Sequence, residues 1–116
     1  DLARELAVLR TKGVLIIGSG NIVHNLGVLD WQNPDSGYDW AIEANTRMKE
    51  LITNGDHAQL ANYTNLGKAF QLSIPTPEHF LPLLYTLGLQ QKGDPIHLFN
   101  DRTVMGSIAM TSVKIG

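Results

Sequence analysis

Apolar residues recur at three- and four-residue steps between Tyr38 and Asn54, putting Ala41, Ala44, Met48, Leu51 and Ile52 on one side of a predicted helix that Gly55 would close. A Glu43–Arg47 pair at i,i+4 supports its outer side. The same spacing places Leu2, Leu6 and Leu9 on one face of a first helix, DLARELAVLRTKG, with Gly13 as its stop. Val14 to Ile17 is a short unbroken apolar run closed by Gly18, the pattern of a strand buried on both faces of an α/β sheet. Trp31 to Gly37, with Asn33, Pro34, Asp35 and Ser36, reads as a surface loop. Asp56 to Tyr63 predicts a shorter helix, and the stretch on to Leu72 has no decisive period. Pro77 to Leu87 predicts a helix with Phe80, Leu83, Leu84 and Leu87 inward and Gly88 at its end. Ile96 to Phe99 and Met105 to Ile115 read as strands, the second rich in β-branched residues and free of proline. The expected class is α/β, a sheet flanked by helices.

Composition narrows the classes. A chain of 116 residues with 43% hydrophobic and 17% charged content can bury one compact core. Nine basic against eleven acidic residues, with no Lys/Arg run, argue against nucleic acid as a partner. No apolar stretch reaches the roughly 20 residues of a membrane span, so a soluble, cytoplasmic protein is expected. Without cysteine, any metal must be held by nitrogen and oxygen. The chain opens on a helix with nothing before its first turn, which predicts a C-terminal piece of a longer polypeptide.

Two histidines stand where polar chemistry usually sits. His24 follows the predicted strand, with Asn21 and Asn25 beside it to orient an imidazole or a substrate oxygen. His79 falls in the first turn of the helix predicted from Pro77, where Thr76 can be the N-cap. There the helix dipole favours an anionic Glu78 and a neutral imidazole at His79, the form that a metal or a general base requires. Pro82 cannot return an N–H to the carbonyl of Glu78, so a helix begun at Pro77 bends there or leaves that carbonyl free. His57 and His97 read as structural or exposed, and the aromatics as core or surface anchors. Gly18-x-Gly20 begins like a dinucleotide turn, but Val23 takes the place of the third glycine, and Gly27 and Pro34 interrupt the helix that would hold a pyrophosphate. Ser19 between those glycines does not form a hydrolase elbow.

The segments GSGNIVHNL and IPTPEHFLPLLYTLG, with the closing MGSIAMTSVKIG, resemble the class III extradiol ring-cleavage dioxygenases, in particular the DOPA 4,5-dioxygenase-like branch of the LigB family. The resemblance runs from the first helix to the last residue. It implies the C-terminal half of a single-domain mixed β-sheet flanked by helices, and a non-haem Fe(II) enzyme, with Zn(II) often in iron's place. Such an enzyme opens a catechol such as DOPA beside its two hydroxyls, using both atoms of O2. On this likeness His24 lies at the metal as acid/base or ligand, His79 is ligand or substrate-positioning group, and Glu78 is a further candidate carboxylate. The family's N-terminal metal histidines, in Gly-His-Gly-Ser-Pro-like and Ser-Ala-His-Trp-like segments, have no counterpart in this sequence. The chain alone is therefore expected to be inactive without an N-terminal half. Two other readings remain open: a small-molecule or nucleotide-binding α/β module using Gly18 to Gly20, and a degenerate relative kept as an interaction subunit.

Overall fold

A computed structural model describes residues 2–116; Asp1, read from sequence as part of the first helix, lies outside them. Five helices, α1 (Leu2–Arg10), α2 (Asp39–Asn54), α3 (His57–Ala61), α4 (Lys68–Ser73) and α5 (Leu81–Gly88), precede four short strands, β1 (Ile96–Phe99), β2 (Thr103–Val104), β3 (Ile108–Ala109) and β4 (Ser112–Ile115). Single 3-10 turns lie at Leu26–Val28 and Tyr63–Asn65. The class is α/β as expected, with two antiparallel ladders, β1 with β4 and β2 with β3.

The helix at Asp39–Asn54 follows its sequence period. Ala41, Ala44, Met48, Leu51 and Ile52 are buried against Phe70, Phe80 and Leu87, and Gly55 closes the helix with a left-handed φ of 73°. Arg47 pairs with Glu50 at 2.9 Å rather than with Glu43. Helix α4, with Ala69, Phe70 and Ser73 buried, fills the stretch that lacked a decisive period.

A polar clamp fixes α2 to the strand region. The buried Asn45 donates from Nδ2 to Asp101 Oδ1 at 3.1 Å and accepts the Thr111 hydroxyl at 2.8 Å. Lys49, above all, holds the Asp101 carboxyl below the ordinary carboxylate range, with Asn45 and Thr111 adding to it against partial burial. Asn45→Ala leaves Thr111 and Asp101 short of a partner and is expected to cost about 1–3 kcal/mol in chemical denaturation. A change within about 0.5 kcal/mol, typical of an inconsequential surface site, would show the clamp to be idle.

Three expectations are corrected. Met105 to Ile115 is not one strand: Met105 (φ 47°) and Gly106 (φ 75°) turn the chain between β2 and β3. Gly106 is required there, because a Cβ would stand 2.6 Å from the Tyr38 ring. The last helix starts at Leu81, not Pro77, with Pro82 in its first turn. A proline ring collides with the carbonyl four residues back, so the helix can contain Pro82 only by beginning beside it. Finally, Val14 to Ile17 forms no strand and joins no ladder among the described residues, and Leu15 and Ile17 are 82% and 78% exposed instead of buried. No helix among the described residues is long and apolar enough to cross a membrane.

Candidate active site

His24 and His79, 55 residues apart in sequence, are stacked with ring centroids 4.7 Å apart and planes inclined by 25°. Backbone contacts hold His24 from two sides. Its N–H donates to the Ser73 carbonyl at the end of α4 at 2.8 Å, and it bridges to Ile108 of β3. His24 is thus buried, 3% exposed, rather than standing on an open loop.

Both nitrogens of the His24 ring face carbonyl oxygens: Nδ1 is 2.9 Å from Asn21 O and Nε2 is 2.9 Å from Thr76 O. A singly protonated ring donates to one of them, and only the doubly protonated ring satisfies both. The side chains of Asn21 and Asn25, expected to orient the imidazole, go elsewhere. Asn21 Nδ2 donates to Ala109 O, and Asn25 Nδ2 to Leu72 O. The backbone of Asn21 orients the ring instead.

His79 lies outside α5, in the hydrogen-bonded turn that precedes it, where Phe80 and Leu81 both donate to the Pro77 carbonyl at 2.9 Å. The dipole argument made for a helix starting at Pro77 therefore lapses. Among the described residues neither ring nitrogen of His79 has a hydrogen-bond partner. The two glycines of GSG explain how the histidines come together. A Cβ on Gly20 (φ 157°) would lie 2.2 Å from the His79 carbonyl oxygen, and one on Gly18 would lie 2.8 Å from that of Pro82. These glycines serve backbone contact rather than a phosphate, and only the three-residue 3-10 turn at Leu26–Val28 follows them closely.

Glu78 is exposed, and its Oε1 accepts the Thr76 hydroxyl at 2.6 Å, so Thr76 binds the carboxylate and does not cap a helix. That bond first, then the Glu78 backbone N–H, and more weakly His79 and His24, hold the carboxyl below its ordinary 4.5. Thr76→Val keeps the carbonyl that meets His24 but removes the hydroxyl. The Glu78 value should then rise toward 4.5 in an NMR titration of its carboxyl carbon. Because the folded value is the lower one, this contact stabilises above about pH 4.5 and is lost as pH falls through the folded value. The acid limb of stability should be shallower in Thr76→Val, and an unmoved titration would remove Thr76 as the cause.

Among the described residues no group of three His, Asp or Glu could hold a metal ion. The imidazoles suit Fe(II) or Zn(II) by chemistry, but they do not make a complete site, since such ions need at least three protein donors. The Thr76 and Asn21 carbonyls were not foreseen from sequence, and backbone acceptors leave no mark in residue type. His57 is partly buried, with Nε2 unpartnered, and His97 is exposed on β1.

The chain is 42% identical over its whole length to a 4,5-DOPA dioxygenase extradiol of Escherichia coli, and covers 44% of that protein. A relative of the same name from Beta vulgaris is 33% identical over 96% of the chain, of which 43% is covered. A third, from Portulaca grandiflora, is 32% identical over 98% of the chain, with 42% covered. An uncharacterized protein from Escherichia coli K12 has a crystal structure that superposes with a TM-score of 0.89 at 41% identity, over 98% of this chain and 48% of that one. Over its whole length the chain is thus similar to proteins named 4,5-DOPA dioxygenase extradiol. No family model matches the chain, and it spans less than half the length of these relatives. Both histidine segments are therefore read against relatives that carry a further stretch of similar length.

Proposed function

We propose that this chain forms one wall of an extradiol dioxygenase site that opens a catechol such as DOPA, and that the rest of the site comes from polypeptide outside it. The observation that carries this reading is the His24–His79 stack, in a chain whose full length aligns with proteins named 4,5-DOPA dioxygenase. The reaction adds both atoms of O2 to the diphenol, breaks the ring carbon bond beside its hydroxyls and leaves an aldehyde and a carboxylate.

In this proposal His24 handles the phenolic proton. A ring nitrogen that exchanges its carbonyl for a phenolic oxygen can take the proton, and the other nitrogen then keeps a carbonyl acceptor for its own N–H. His79, with both nitrogens free, serves as ligand or substrate-positioning group. Glu78, kept ionised by Thr76, adds negative charge beside the pair. Fe(II), or Zn(II) in its place, belongs to the proposal only as an ion whose donors lie largely outside this chain.

The test is anaerobic Fe(II) reconstitution of a full-length protein carrying this segment, followed by oxygen and DOPA. Iron-dependent oxygen uptake with a yellow ring-opened semialdehyde is expected. Bound iron without product across several catechols would favour the degenerate-subunit reading, and thermal stabilisation by a nucleotide would favour the binding module.

A further inference from the structure

The segment Val14 to Ile17 starts beside the end of α1, where Val14 N–H donates to Leu9 O, and continues to Asn21, whose side chain donates to Ala109 O. The stretch from Ala109 through β4 to Gly116 covers the same span in the opposite sense, and Gly116 lies against the Arg10 guanidinium. The two segments are thus tethered near each other at both ends, yet they do not pair. Between them lies a groove of about 460 Å³, floored by Leu83, Thr86 and Leu89. β4 pairs with β1 along one edge, and no strand lines its other edge among the described residues. Neither His24 nor His79 lines this groove.

A slot with an unpaired segment on one wall, a free strand edge on the other and a largely apolar floor has the chemistry of a missing strand. Backbone groups along both walls are left to water, while Leu15 and Ile17 stand exposed beside them. One strand lying about 4.8 Å from each wall would pair with both. Because the walls run in opposite senses, that strand is parallel to one and antiparallel to the other.

We infer that this groove is the docking slot for one apolar β-strand, about four residues long, from the polypeptide that makes up the remaining length of the relatives. The relatives supply the length, since this chain covers 44% of the Escherichia coli protein. A strand in the slot joins Val14–Ile17, β4 and β1 into one mixed sheet lying on α5. The inference does not rest on the catechol reading, since an inactive family member would need the same strand.

The test co-expresses this 116-residue chain with the part of the Escherichia coli relative that it does not match, and follows backbone hydrogen exchange. Complex formation should slow exchange about 100-fold or more in both Val14–Ile17 and β4. Leu15→Asp and Ile17→Asp should weaken association at least tenfold. Both side chains are exposed in this chain, so its own melting curve should not move, whereas Ile42→Asp on the outside of α2 should leave association unchanged. No association, association that leaves either wall unprotected, or binding indifferent to the two Asp substitutions would overturn the inference. Self-association of this chain that the two substitutions abolish, and that the added part does not displace, would make a second copy the occupant and overturn it too.

Discussion

Phe80→Ala is expected to lower the unfolding free energy by about 3–5 kcal/mol, the usual cost of emptying a fully buried aromatic site. Phe80 is 0% exposed and packs against Tyr63 with ring centroids 4.9 Å apart. Its backbone also bridges loop and helix, its N–H donating to Pro77 O and its carbonyl accepting from Leu83. Domains of this size hold about 5–15 kcal/mol in all, so the variant should sit near its melting point at moderate temperature. The His24–His79 stack should loosen with it, since His79 is the preceding residue. Urea titration would check the figure. A loss below about 1.5 kcal/mol would mean that the site collapses around the gap, and Phe80→Leu should retain most of the stability.

His24→Ala, in a full-length protein carrying this segment, is expected to lower turnover by about 10² or more if the ring moves the phenolic proton. The substitution also removes the ring N–H that donates to the carbonyl of Asn21 or Thr76, a structural cost of about 1–3 kcal/mol. Rates are therefore compared well below the melting transition, with His24→Gln as a companion that can still donate to one carbonyl. Near-normal turnover in either folded variant would remove His24 from the chemistry. A parallel fall in His79→Ala with unchanged metal content would point to substrate placement, and a fall in metal content to ligation.

Much of the helical frame was legible because burial repeats along it. In α2 five apolar positions at helical steps and one glycine define the inward face and the end. The failures have physical causes. The run Val14 to Ile17 encodes burial on both faces, whereas Leu15 and Ile17 stand exposed; on the docking-slot inference, the strand that would cover them is supplied from outside this chain. Met105 to Ile115 looked continuous because β-branched residues report strand preference, while the break depends on how closely the Tyr38 ring approaches Gly106. The helix start was misplaced by four residues because Pro77 and Pro82 each suit a first turn, and only one of them could open the helix. Of the candidate site, the partnership of His24 and His79 was readable in their motifs. The carbonyls that hold His24 were not, since any residue could supply them.

The stack also carries its own reporter. Two imidazoles 4.7 Å apart and inclined by only 25° place ring protons of each in the shielding region of the other. Their carbon-bound protons should resonate upfield of those of the exposed His97, so one proton–carbon NMR spectrum can tell whether the pair is intact before any substrate is added.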